Sequence, residues 1–198
     1  MSSSMTTLLA ALQRDSGPSS DFDLNPGVEL PAGRKLRPAG VLVPVQMIDG
    51  AAQVILTKRA SHLKHHPGQI AFPGGKQDEG DVDVVAAALR EAQEEIGLSP
   101  ENVRVLGTLP SHETVTSFTV TPVLAEVKAP FDFVPESGEV DEVFHVPLSH
   151  LVTPSSYVIE GRRWRGQLRR YYAVPYGPYY IWGATARILR GLAERVSA

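Results

Sequence analysis

The chain has 198 residues, of which 42% are hydrophobic and 21% charged, with a formal net charge of −3. This length sustains one domain with a substantial core, and the mild acidity argues against a general nucleic-acid binder, which would be basic. The lack of cysteine excludes disulfides, thiolate metal sites and cysteine nucleophiles, and no apolar run approaches the roughly 20 residues that span a bilayer.

Residues 1–36 abound in Ser, Pro, Gly and Asp and read as a flexible arm, with a short helix over 6–14. The apolar run Leu8-Leu9-Ala10-Ala11-Leu12 has no basic stretch before it and does not read as a secretion signal, so a cytoplasmic protein is expected. A folded domain is expected over 37–198. Its first strand covers 37–46, and Asp49-Gly50 is a hairpin signal that returns the chain as a strand over 53–58. A loop carrying His62, His65, His66 and Pro67 leads to a short strand over 69–72. Phe72-Pro73-Gly74-Gly75 then reads as a tight turn feeding a helix. Asp81 suits the N-cap of that helix and Gly97 the left-handed residue beyond its end. Val85, Leu89, Ala92 and Ile96 form an apolar stripe suited to packing on a sheet, which leaves the acidic face pointing away from the core. Further strands are expected over 103–109, 119–127 and 143–146, then a short helix start over 147–151. A late hairpin pairs 157–158 with 169–174, and a C-terminal helix covers 182–196. Strands mixed with two long helices suit an α/β/α sandwich.

The chemistry concentrates in Arg90-Glu91-Ala92-Gln93-Glu94-Glu95-Ile96-Gly97-Leu98. On a helix Glu91 and Glu95 stand at i and i+4, with Glu94 at i+3, so three carboxylates share one face and repel. A divalent cation relieves that repulsion, and an all-oxygen donor set selects Mg²⁺, with Mn²⁺ as a substitute. Arg90 can pair with Glu94 at i+4, leaving Glu91 and Glu95 freer to ligate. Glutamate clusters are often only solvated helix faces; here a strand and a glycine turn stand directly before the helix, an arrangement suited to a metal-bound phosphate.

Other candidates carry less. His62, His65 and His66 match no standard zinc spacing. Lys58, Arg59 and Lys64 can neutralise phosphates or be solvated, and Glu139 can supply a distal carboxylate or be surface acid. Arg162, Arg163, Arg165, Arg169 and Arg170, with Trp164, Tyr171 and Tyr172 between them, can grip a nucleotide, although a basic hairpin with aromatic core contacts is favoured. Phe118 and Trp182 read as core.

The stretch from Gly75 to Leu98 resembles the Nudix box, Gly-x5-Glu-x7-Arg-Glu-U-x-Glu-Glu-x-Gly-U with U aliphatic. Gly75, Arg90, Glu91, Glu94, Glu95, Gly97 and Leu98 match it, and Ala92 fills the first aliphatic position. The Gly75 to Arg90 spacing is one residue longer than the box, and no Glu occupies its middle position; Asp78, Glu79, Asp81 and Asp83 are the nearby acids. The longer box, and the upstream run from Leu56 through Gly68-Gln69-Ile70-Ala71-Phe72-Pro73-Gly74-Gly75, are similar to the coenzyme A pyrophosphatase subgroup. Ile181-Trp182-Gly183-Ala184-Thr185-Ala186 fits it too.

The resemblance implies a Nudix-type α/β/α sandwich with a mixed sheet in a single domain. It also implies Mg²⁺-dependent hydrolysis of coenzyme A, or a derivative, to 3′,5′-ADP and 4′-phosphopantetheine. In that reading Glu91 and Glu95 ligate metal with Glu94 completing the set, and a carboxylate among Glu91, Glu94 and Glu139 serves catalysis. Lys58, Arg59, Gln69, Gly74 and Gly75 hold substrate, while Arg90 and Gly97 support the site. A small nucleotide-type substrate is expected as partner, without nucleic acid or membrane; a homodimer is left open. ADP-ribose, a dinucleotide polyphosphate or a damaged nucleoside triphosphate are rival substrates, and a non-catalytic binding module is a rival class. The three retained glutamates favour an enzyme, and the upstream motif favours coenzyme A.

Overall fold

The computed structural model of the chain describes residues 3–28, 30, 32–164 and 166–198, with Trp164 described by its backbone alone. In chain order the elements are α1 (Ser3–Leu12), β1 (Ser19–Ser20), β2 (Arg37–Ile48), β3 (Ala51–Arg59), β4 (Ile70–Ala71), β5 (Gly74–Lys76) and α2 (Val84–Ile96). There follow β6 (Val103–Thr108), β7 (His112–Glu113), β8 (Phe118–Val127), β9 (Val140–Pro147), α3 (Leu148–Leu151), β10 (Val158–Trp164), β11 (Gln167–Ala173) and α4 (Gly183–Ser197).

Nine of the described strands form one mixed sheet, and β10 and β11 form a separate antiparallel hairpin. β2 is the axis. It runs parallel to β8 from Arg37 to Gln46, while its far end pairs antiparallel with β3 across the Asp49-Gly50 hairpin. Its near end, Ala39 to Val41, pairs instead with β5. β3 meanwhile swings away to pair with β9 and β4. The sheet thus splits beside β2, and the segment from β4 to β5 bridges the split.

Strand alternation explains how both faces of this sheet are covered. Leu42, Ile55, Val123, Ala125 and Val127 pack with Ala88, Ala92 and Ile96 of α2. Their neighbours Val43, Val45, Val54, Leu56 and Leu124 pack on the other face with residues of α1, α3 and α4. Runs apolar at every position belong to strands buried on both sides. The result is the α/β/α arrangement with a mixed sheet. Among the described residues no helix is long and apolar enough to cross a membrane.

Three local readings differ. The Phe72–Gly75 turn continues into β5, because Gly74 and Gly75 find ladder partners on β2. The residues leading to 143–146 are already strand, since β9 starts at Val140 opposite Arg59. Within 1–36, Met5, Leu8 and Ala11 form a stripe buried in the main core, and Ser19–Ser20 add a parallel strand at β7. His112, fully buried, joins Ser19 Oγ at 2.9 Å and Asp21 Oδ1 at 3.0 Å and so holds that segment to β7.

Candidate active site

The site is built where the split sheet meets the second half of α2. Two glycines let the helix come this close. The α-carbon hydrogen of Gly40 on β2 faces the Val84 carbonyl so closely that a methyl group there would overlap it. A Cβ on Gly75 would lie 2.5 Å from Glu91 Oε1, so the Glu91 carboxylate rests directly against the β5 backbone. α2 is capped by Asp83, whose Oδ1 accepts from Ala86 N at 2.8 Å, and not by Asp81. The helix begins two residues later than Asp81 requires, and Asp81 has a different partner. Gly97, at φ 74°, ends the helix in the left-handed conformation as expected.

Arg90 organises the acids. Its Nε donates to Asp81 Oδ1 at 3.0 Å and its Nη2 to Asp81 Oδ2 at 3.0 Å, a two-pronged pair. Nη1 reaches Glu94 Oε2 and Glu91 Oε1, each at 3.0 Å, and Nη2 also donates to the Lys76 carbonyl at 3.3 Å. Arg90 therefore engages Glu91 as well as Glu94 and does not leave Glu91 free. The bond from Arg90 holds the Asp81 carboxyl below its usual range, and the same bond raises the proton affinity of Arg90.

The acidic face does not point wholly to solvent. Glu94 is exposed, Glu91 is largely covered, and Glu95 is buried at 5% exposure, with its Oε2 accepting from Gly74 N at 3.1 Å. Burial pushes the Glu95 carboxyl up to about 8, against the Gly74 hydrogen bond; the charges of Glu91 and Glu139 push the same way and Arg59 opposes them. Burial also raises Glu91, with Glu94 and Glu139 adding to it and Arg90 opposing. The helix turn and the sheet wall thus force like charges together in a place with little water.

A pH dependence of stability follows. A carboxyl whose folded affinity for its proton exceeds the unfolded one makes the folded state bind more protons. For Glu95 the metal-free protein should lose stability as pH rises from about 4.5 toward about 8 and level off beyond. Urea midpoints measured in chelator across this range would show the fall, and Glu95→Gln should flatten it; equal slopes in both proteins would refute the assignment.

Arg59 reaches Glu95 by its charge from the end of β3. Its neighbour Lys58 precedes it on β3, half-buried, where strand alternation directs it to the face opposite Arg59. Gln69 leads into β4, and its carbonyl accepts from Arg59 N at 3.0 Å. Glu139 is exposed in the turn just before β9, its carbonyl accepting from Ala60 N. His62, His65 and His66 are exposed, and among the described residues no three His, Asp or Glu side chains form a ready metal cluster. Arg162 and Arg163 of β10 and Arg170 of β11 are exposed along the hairpin, with Arg162 opposite Arg169; Arg165 lies outside the described residues. Phe118 lies under the Arg37 guanidinium at 4.1 Å, and Trp182 packs against Tyr171 at 5.0 Å, both half-buried. Sequence reasoning missed Gly40; an isolated glycine inside an apolar strand is a signal of close backbone approach.

The NUDIX domain family model matches residues 36–165. The chain is 42% identical over 160 residues to "Uncharacterized Nudix hydrolase NudL" of Enterobacter sp. (strain 638), spanning 81% of this chain and 83% of that protein. It is 40% identical over 161 residues to the protein of the same name from Pectobacterium atrosepticum, with the same coverage. Among solved structures, the MutT protein from Methanosarcina mazei Go1 superposes with a TM-score of 0.53 at 17% identity, over 84% of this chain and 96% of that one.

Proposed function

The chain belongs to the Nudix family of hydrolases, and from that premise we propose that it cleaves the diphosphate bridge of coenzyme A or a close derivative. The products are 3′,5′-ADP and 4′-phosphopantetheine. One observation carries the reading: the Gly74 amide closes onto Glu95, so the end of the Gly68-Gln69-x-x-Phe72-Pro73-Gly74-Gly75 motif and the box helix form one site.

A divalent cation, Mg²⁺ or Mn²⁺ in its place, fits this site by the chemistry of its donors. The oxygens are hard, and a cation favours the ionised form that burial chiefly, and neighbouring carboxylates secondarily, disfavour at Glu91 and Glu95. Glu91 and Glu95 would hold it, with Glu94 completing the set; a cation competes with Arg90 for Glu91. Bound there, it supplies charge neutralisation at the diphosphate and a more acidic water.

The chain's own groups do the rest. Gly74 and Gly75 bring bare backbone against the site, and Arg59 offsets negative charge beside Glu95. Gln69 holds the motif segment to β3. Glu139 has no ion pair among the described side chains, while its charge reaches both Glu91 and Glu95. We assign it to accept the proton of the attacking water, with Glu94, tied to Arg90, as the weaker candidate. Water adds to one phosphorus, the bridging P–O bond breaks, and two phosphate monoesters leave.

Incubation of the protein with coenzyme A and Mg²⁺, followed by mass spectrometry, tests the reading. Release of 3′,5′-ADP is the expected result. Cleavage of ADP-ribose with coenzyme A left intact would keep the chemistry and discard the substrate. Binding without turnover of either would point to a non-catalytic module.

A further inference from the structure

The Ile181–Ala186 motif, far along the chain from the box, has no part in the chemistry above. The structure brings it to the same place. β4 is only two residues long, yet it carries the whole segment from Gln69 to Gly75. Such a short strand has few ladder bonds to fix it, and each of its carbonyls must find a donor. Two buried threonines supply them. Thr57 Oγ1 donates to the Ala71 carbonyl at 3.2 Å from β3, and Thr185 Oγ1 donates to the Ile70 carbonyl at 3.1 Å from the first turn of α4. Thr57 is 1% exposed and Thr185 is 6% exposed, so neither hydroxyl has water as an easy alternative.

The start of α4 is itself fixed. Val174 N donates to the Ile181 carbonyl at 2.8 Å, and Trp182 bridges to Ala173 at the end of β11. A Cβ on Gly183 would lie 3.5 Å from Gln69 Nε2, so the Gln69 side chain rests beside the helix start. On the far side of the segment, Leu42 N donates to the Pro73 carbonyl at 2.8 Å and Gly74 N donates to Glu95. The segment is thus suspended between α4 and Glu95.

We propose that Thr185 is a positioning residue of the diphosphate site: its buried hydroxyl, bound to the Ile70 carbonyl, sets where the Gln69–Gly75 segment stands against Glu95. This rests on the reading of that segment as the wall of the site. Thr185 acts through the backbone and touches no reacting atom.

The test compares Thr185→Val, Thr185→Ser and, as a core control on the same helix, Ile188→Val. Three quantities are read: kcat and KM on coenzyme A, the thermal midpoint, and the hydrogen-exchange rate of the Gly74 amide. Thr185→Val should lower kcat about tenfold or more with a smaller change in KM, since small misplacements at a reacting centre are amplified in rate. Its Gly74 amide should exchange about tenfold faster, a freed amide no longer being held to Glu95. Thr185→Ser keeps the hydroxyl and should stay within about twofold of the parent in both. Ile188→Val should shift the midpoint while leaving kcat and Gly74 exchange unchanged. The proposal is overturned if Thr185→Val keeps parental kcat and exchange, if serine fails as valine does, or if Ile188→Val reproduces the effect. Thr185→Ala replaces valine should that variant not fold. The exchange measurement needs no substrate, so a wild-type protein that spares coenzyme A would refute the substrate and still leave Thr185 decided.

Discussion

Glu95→Gln should lower turnover by at least about 10²-fold, the scale of losing a key electrostatic group in a water-poor site. The reason lies in its surroundings. Glu95 is 5% exposed and accepts one hydrogen bond, from Gly74 N, in a field made more negative by Glu91 and Glu139. Glutamine keeps the size and can still accept from Gly74, so the fold should survive and the midpoint at neutral pH should rise. What it loses is the charge that would hold a divalent cation. Activity and stability should therefore move in opposite directions, which a general packing defect does not produce. Isothermal titration with Mn²⁺ and a urea melt at pH 8 would check both halves. Near-normal kcat with unchanged Mn²⁺ affinity would remove Glu95 from the site.

Gly40→Ala should lower stability by about 3 kcal/mol, as overpacking against backbone does. The added carbon would overlap the Val84 carbonyl, with the Ala88 amide nitrogen also 3.1 Å away. Both belong to α2, so the helix must lift from β2, taking Glu91 and Glu95 with it. Gly75→Ala offers the contrast. The three atoms nearest its new carbon would all belong to the Glu91 carboxylate, the far end of a flexible side chain. That variant should fold nearly normally and lose activity. Differential scanning calorimetry of the two variants beside their rates would separate them; a Gly75→Ala protein less stable than Gly40→Ala would contradict the assignment.

Much of the site was legible because its spacing obeys helix geometry. The turn of 3.6 residues brings Arg90 to Glu94 and sets Glu91 and Glu95 on neighbouring turns. Val85, Leu89, Ala92 and Ile96 identify the buried stripe for the same reason. Asp49-Gly50 marks its hairpin because few residue pairs accept that turn. The N-cap was less legible, since Asp81 and Asp83 are chemically equal candidates. Only the contact of Asp81 with Arg90, 9 residues away, separates them.

The sequence by itself determined the family, the box helix, the helical spacing of its carboxylates and the alternation of strands buried on both faces. These depend on local periodicity and residue type, which the chain carries wherever it folds. Only the tertiary structure decided how wet each carboxylate is, so that Glu94 stands in solvent while Glu95, one residue on, lies under Gly74. It alone brought Thr185 to a carbonyl 115 residues away. Burial and long-range contact depend on what other segments arrive, and no local pattern of side chains encodes that arrival.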